Sequence, residues 1–411
     1  MSHSPSISTA PSRTAQVYPH IVVLILGMTI VEKVALPITG NWLPISTLIA
    51  PAAVLLAWVR GVVLLDRRSF GLWFAFMLCS CLSFTVNSTS PQVSLGSVLL
   101  VGLLQLCLAF RLRDGASDAR RGLYFFVELM FYLAIAGVIQ FASQRVVGSR
   151  IAFPMDSLPS VIAINGYNNL NPLSYGSEIF KSNGIVFAEP SYFSQFLALA
   201  TIVELITRQR VSRLIVFAAG MLCSYSGTGL IVLALFGSIL LIRSGNLMLL
   251  VACLSIVAII IVFGSALQVD AITNRFSEFT TPNTSGHARF VSAFYLIGRY
   301  SFEDYATLLI GEGPGTIRSY FDVMPFTMFG PTWAKLFFEY GLIGTLVYIV
   351  YLASCMRMAN ASLMWPMLAT YTFMGGYLAD ATLVTAMIVL VIWGSAALAK
   401  QPEAEALVET G

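Results

Sequence analysis

The chain has 411 residues, of which 57% are hydrophobic and only 10% charged, with a formal net charge of +3. A water-soluble domain carries about 25% charged residues, so a soluble globular fold is excluded, and the small net charge without a basic tract excludes nucleic acid as a partner. The apolar runs are long and lack the alternation of a membrane β-barrel. This leaves an all-α, polytopic membrane bundle, in which each span takes roughly 20 apolar residues and satisfies its own backbone.

Residues 1–17 form a predicted cytoplasmic tail, rich in Ser, Thr and Pro. They lack an apolar core followed by a small-residue cleavage site, so no removed leader is expected. Residues 18–399 read as a single transmembrane domain, and 400–411 as a second cytoplasmic tail. About twelve spans are predicted by the apolar-run rule. They lie at residues 18–37, 43–59, 70–84, 93–110, 123–142, 185–206, 214–225, 230–242, 247–263, 333–354, 363–378 and 382–398. The seventh and eighth are short, and a break near 224–229 allows them to form a re-entrant pair. The six cysteines, Cys79, Cys81, Cys107, Cys223, Cys253 and Cys355, all fall within or at the edge of apolar segments. They read as packing residues rather than as a disulfide framework or a zinc site.

Short basic turns carry Arg60, Arg67 and Arg68, then Arg111, Arg113, Arg120 and Arg121, then Arg208, Arg210 and Arg213. The positive-inside rule places these turns, and both termini, in the cytoplasm. Lys33, Arg145, Arg150, Lys181, Arg275, Arg289, Arg299, Arg318 and Lys335 then fall outside. Most of them lie in two long outer segments, 144–184 and 265–331.

The first outer segment runs from turn chemistry at Asn165–Pro172 into Lys181, Gly184 and the pair Glu189-Pro190. Glu189 reads equally as a helix-start carboxylate and as an acid at the mouth of a cavity. The second segment holds Ser285-Gly286 followed by a predicted amphipathic helix over 287–300, with Phe290, Phe294 and Ile297 on one face and Arg289 and Arg299 at its flanks. It closes with Gly311-Glu312-Gly313-Pro314-Gly315, a stretch whose exposed amides can hold an anion. Taken singly, each external arginine reads as a side chain reaching lipid headgroups; together with nearby carboxylates they read as a site. In the tenth span Lys335 and Glu339 are spaced to pair across one helical turn. Glu32 and Lys33 are adjacent, so they point to different faces. Glu128 and Glu204 lie toward the cytoplasmic half of their spans and read as packing or local bonding groups.

Three motifs occur in order: Lys181-x-x-Gly184-x-x-x-x-Glu189-Pro190-Ser191; Ser285-Gly286-x-x-Arg289 leading to Gly311-x-Gly313-Pro314-Gly315; and Glu339-Tyr340-Gly341-Leu342-Ile343-Gly344. Their order, with the long outer loop before the tenth span, resembles the bacterial O-antigen polymerase and ligase superfamily, closest in type to the xanthan-type exopolysaccharide polymerases. The resemblance implies an enzyme of the bacterial inner membrane that needs no metal and no cofactor. It would transfer a growing glycan from undecaprenyl pyrophosphate to a sugar hydroxyl of another lipid-linked repeat unit on the periplasmic face. Chain-length regulators and export proteins are then candidate partners. Two positions depart from the pattern. Lys181 stands where this family usually has arginine, and Gly330 where ligases usually carry a histidine, which argues for polymerase over ligase.

On this reading Arg289 is the first candidate to neutralise the pyrophosphate leaving group, because a guanidinium makes two parallel bonds to phosphate. Lys181, Arg275, Arg299, Arg318, Gly313, Gly315, Tyr192 and Glu339 are candidates to bind pyrophosphate or glycan. Glu189, then His287, are candidates for the base that deprotonates the acceptor hydroxyl. A flippase for lipid-linked sugars is the rival class, but no half-to-half repeat is visible and the charges gather at the outer end.

Overall fold

A computed structural model describes residues 16–38, 41–159, 162–163, 169–173, 176–245, 280–321, 323–374 and 378–398. The predicted ninth span, residues 247–263, lies outside the described residues, as do Arg275, residues 1–15 of the N-terminal tail and the C-terminal tail.

The described chain is mostly helical, because its apolar runs can satisfy their backbone groups internally only as helices. In order come α1 (Tyr18–Thr29), the hairpin strands β1 (Ala35–Ile38) and β2 (Asn41–Pro44), α2 (Ser46–Val59), β3 (Val63–Leu65), α3 (Arg67–Val86), α4 (Leu95–Ala109), β4 (Phe110–Leu112) and α5 (Ala116–Val147). Then follow α6 (Pro190–Thr207), α7 (Val211–Ser224) and α8 (Gly227–Arg243). Among the described residues, the second outer segment supplies four short helices: α9 (Ser285–Phe290), α10 (Ser292–Tyr300), α11 (Tyr305–Ile310) and α12 (Ile317–Phe321). The chain returns through α13 (Thr332–Met356), α14 (Ala361–Ala369, continued by a π-helical turn over Thr370–Met374) and α15 (Ala381–Leu398).

Four of these helices, α3, α5, α13 and α15, are long and apolar enough to cross a membrane. Helices α1, α2, α4, α7 and α8 are apolar but shorter. The predicted first span 18–37 is thus a shorter helix, and the chain turns after Thr29 into the β1–β2 hairpin, where Pro37 and Pro44 disfavour helix. The predicted break between the seventh and eighth spans is present: α7 ends at Ser224, and Tyr225 adopts the left-handed conformation.

Helix α6 is the axis of the bundle. Every residue from Pro190 to Leu205 is buried, against α5, α7, α8 and α14. Helix α13 packs on α3, and α15 on α1, α2 and α5. Large apolar side chains such as Leu55, Leu78, Leu99, Ile139, Leu346 and Ile349 stay exposed on the outer surface. An apolar belt of this extent suits lipid rather than water.

The polar groups fall at the two ends of the bundle. At one end Asp66 caps α3 through the Ser69 amide (3.1 Å) and takes two bonds from Arg357 (2.7 and 2.8 Å). Those bonds hold its carboxyl well below the usual carboxylate range. Arg111 donates to the carbonyls of Ser354 and Cys355 (2.8 and 3.1 Å), and Arg213 pairs with Glu128. The other end carries the candidate site.

The predicted amphipathic helix over 287–300 is two helices, divided at Val291. Thr284 caps the first through the His287 amide (3.4 Å). The second buries Ala293, Leu296 and Ile297 against α13 and α12; of the predicted face, Ile297 is buried and Phe290 packs on the main core, while Phe294 is 63% exposed. Packing on α13 through the small Ala293 and Ala334 rotates the helix in this way, and Phe294 instead stacks beside Trp333 (4.8 Å).

Candidate functional site

The segment before α6 is held by two glutamines of α5. Gln140 Oε1 accepts from the Ser182 hydroxyl (2.8 Å) and the Asn183 amide (3.1 Å), and its Nε2 donates to Asn183 Oδ1 (3.0 Å). One turn on, Gln144 exchanges two bonds with the backbone of Phe180 (2.8 and 2.7 Å). Gly184 has φ +64°, and a Cβ there would lie 2.6 Å from the Phe193 ring, so the motif requires glycine. These contacts position the segment that ends at Glu189, beside the second outer segment.

Glu189 is extended and precedes Pro190, which starts α6. Its carboxylate makes no cap bond to that helix. It accepts instead from the Ser191 hydroxyl (3.0 Å) and pairs with the Arg289 guanidinium at 3.5 Å. Arg289 also donates to Ser191 Oγ (3.3 Å) and lies over the Phe329 ring (5.1 Å). The structure thus brings Arg289 and Glu189 together across about 100 residues of chain.

Two further carboxylates adjoin this pair. Glu32, just past α1, accepts from the Ala188 amide (3.3 Å) and lies within electrostatic range of both Asp380 and Glu189. Lys33 turns the other way, donating to the Ile185 carbonyl (3.0 Å) and to Asn169. Asp380 caps α15 through the Leu383 amide (3.0 Å) and accepts from the Tyr192 hydroxyl at 2.5 Å. The result is a locus of three carboxylates, Glu32, Glu189 and Asp380, with Lys33, Arg289 and Tyr192.

Burial pushes the Asp380 carboxyl up to about 6, against the lowering effect of the Tyr192 bond. A carboxyl that prefers its proton adds stability that is fully present below about pH 4, its unfolded value, and is lost as the pH rises through about 6. Replacing Asp380 by asparagine is expected to remove that slope. Thermal unfolding of the detergent-purified chain at about pH 4 and about pH 7 checks it: the variant gains on the wild type at the higher pH. An unchanged difference between the two proteins at both pH values would contradict this placement of Asp380.

Glycines of the second outer segment build a different feature. Helix α13 breaks at Gly341 (φ +64°, ψ −169°), which frees the carbonyls of Phe338 and Glu339. The amides of Glu312 and Gly313 bond to those carbonyls (2.9 and 3.2 Å). Ser83 of α3 donates to the Glu339 carbonyl (2.7 Å), and Asn87 to the Gly311 carbonyl (2.9 Å). The Glu339 side chain is fully buried, accepts from the Ile317 amide (3.4 Å) and pairs with Lys335 at 3.6 Å, the predicted partner one turn away. Gly313, Gly315 and Glu339 therefore belong to an interlock between the glycine turn and a broken helix, and the amides of Glu312, Gly313 and Ile317 are taken up within it.

The remaining candidates are dispersed. The His287 ring is buried beside Phe326 (5.2 Å) and Tyr295 (6.3 Å), on the same short helix as Arg289. Arg299 is exposed and lies over Tyr300 (5.5 Å), and Arg318 is exposed. Lys181 is buried, and its amide donates to the Asn171 carbonyl (2.8 Å). Sequence reasoning did not single out Asp380, Gln140 or Asn183. For Asp380 the available signal was its position as an isolated acid one residue before an apolar helix, which is a cap position.

Comparison with family models, curated proteins and solved structures gave no match. The chemistry of the site is therefore read from its own geometry: a guanidinium able to hold an anion, a carboxylate beside it able to accept a proton, and a serine hydroxyl bridging the two.

Proposed function

We propose that the chain is a polysaccharide polymerase of the bacterial inner membrane, with about twelve spans, both termini in the cytoplasm and the carboxylate-bearing end outside. The observation that carries this reading is the contact of Arg289 with Glu189 and Ser191 at the junction of the two outer segments. The donor is a glycan on undecaprenyl pyrophosphate, and the acceptor is a sugar hydroxyl of another lipid-linked repeat unit. The acceptor oxygen bonds to the anomeric carbon from the face opposite the leaving group, so the configuration inverts. The bond from that carbon to the pyrophosphate oxygen breaks, and its electron pair leaves with the pyrophosphate. Arg289 neutralises that charge, and Glu189 takes the hydroxyl proton. The Tyr192 ring is buried beside the same locus, where its hydroxyl holds Asp380 rather than offering a face to a sugar.

Purified protein incubated with lipid-linked repeat units is expected to give products that lengthen with time. Glu189→Gln is expected to slow that lengthening by ~10²-fold or more while the lipid substrate still binds. An unchanged rate would remove Glu189 as the base. The neighbouring Glu32 and Asp380 favour a second reading, a proton-coupled transporter of the same lipid-linked sugars. Movement of the lipid across vesicles without lengthening would select that reading.

A further inference from the structure

The opposite end of the bundle carries a second polar feature that the proposed transfer does not use. A cavity of about 360 Å³ opens beside the first turns of α5, lined by Ala116, Ser117, Arg120, Arg121 and Tyr124. Arg120 and Tyr124 lie four residues apart, on one helical face, as do Ser117 and Arg121. Arg120 donates to the Ala397 carbonyl (3.2 Å), which ties its guanidinium between α5 and the end of α15. Arg208, just past the end of α6, stacks its guanidinium on the Tyr124 ring at 3.5 Å. Two adjacent arginines of one α5 turn thus line the opening, and a third guanidinium, that of Arg208, lies over the ring that completes the lining.

Four acids described at this end have partners outside the cavity, and a fifth, Asp114, is exposed two residues before Ala116. Asp118 accepts from the amides of Val17 and Tyr18 (2.9 and 3.2 Å), Glu128 pairs with Arg213, Asp66 with Arg357, and Glu204 accepts from the Arg210 amide (3.0 Å). The lining itself holds two guanidinium groups and no carboxylate. The depth of the cavity is set by α5: Arg120 lies twenty residues before Gln140, which holds the segment leading to Glu189. That is ~30 Å of helix rise, close to the ~30 Å hydrocarbon thickness of a bilayer. If the locus of Glu189 meets one membrane face, this cavity lies at the headgroup level of the other.

We propose that the cavity lined by Arg120, Arg121 and Tyr124, with Arg208 at its edge, is a binding site for a phosphate anion, supplied by the headgroup of an anionic lipid. Arginines at this depth suit a phosphodiester, which they contact through paired N–H donors. The volume accommodates a glycerol headgroup. The proposal does not depend on the transfer reaction.

The test uses the full-length chain in detergent, titrated separately with short-chain phosphatidylglycerol, short-chain phosphatidylcholine and inorganic phosphate, with bound adducts read by native mass spectrometry. Phosphatidylglycerol is expected to bind in preference to phosphatidylcholine, and the double variant Arg120→Gln/Arg121→Gln to bind it roughly tenfold more weakly. Arg113→Gln, an exposed arginine outside the cavity, should bind it as the wild type does. If the double variant fails to fold, the single exposed change Arg121→Gln carries the same expectation with a smaller loss. Inorganic phosphate that binds the wild type and not the variant, with the two lipids indistinguishable, assigns the site to a soluble phosphate. Equal phosphatidylglycerol binding by wild type and variants overturns the proposal.

Discussion

Replacing Gly341 by alanine is expected to lower the thermal midpoint of the detergent-purified protein by roughly 5 °C and to reduce the amount recovered from the membrane. Two costs combine at this position. Its backbone, at φ +64° and ψ −169°, lies in a region that L side chains essentially never occupy, a strain of ~1–3 kcal/mol. A Cβ there would also lie 2.5 Å from the backbone of Leu309 and Ile310 in α11, where no flexible side chain can give way. Overpacking of that kind adds ~1–3 kcal/mol, against a total stability of ~5–15 kcal/mol for an ordinary domain. The control is Gly298→Ala in α10, where the added methyl meets no atom within 4 Å and helix propensity favours alanine by up to ~1 kcal/mol. Its midpoint should hold or rise slightly. A wild-type midpoint for Gly341→Ala would mean that the break in α13 is not pinned against α11.

Arg289→Ala is expected to lower the rate of chain lengthening by ~10²–10³-fold, the usual cost of losing one charge-stabilising donor from a preorganised site. Under the proposed reaction the pyrophosphate leaves without a fixed cation beside it, while single repeat units accumulate on their lipid carrier. Arg289→Lys should fall between wild type and alanine, because it keeps the charge and loses the planar fork. Combining Arg289→Ala with Glu189→Gln should cost little more than the worse single change, since the two side chains act as one unit across their 3.5 Å contact. Rates are read on protein quantified in the membrane, so that loss of folding is not scored as loss of chemistry. Normal polymer from well-expressed Arg289→Ala would remove this residue from the mechanism.

Local features of the site were legible where neighbours in sequence decide them. The start of α6 at Pro190 follows from proline's preference for a first helical turn, and the Lys335–Glu339 pair from helical spacing. The opposite orientations of Glu32 and Lys33 follow from their adjacency. What was not legible depends on pairing over long distances. The amides of the glycine turn read as a place for an anion because the carbonyls that take them up belong to a helix break at Gly341, and a break cannot be told from an ordinary helical glycine in one sequence. Phe294 read as part of one apolar face with Phe290 and Ile297, yet it is exposed, because hydrophobic periodicity marks an apolar stripe without stating which neighbour it meets. Asp380 escaped notice because its partner Tyr192 is 188 residues away.

The bonds from Ser83 to Glu339 and from Asn87 to Gly311 join points separated by 256 and 224 residues of chain. During synthesis α3 is complete long before α13 emerges, so those two donors wait without their acceptors while the intervening helices are inserted. Contacts of such sequence separation form late. The glycine turn and the first half of α13 therefore close over the end of helices, α3 to α8, that precede them in the chain. A nascent chain released before that step would keep an open, hydrated mouth between α3 and α4, and quality control would meet the protein there first.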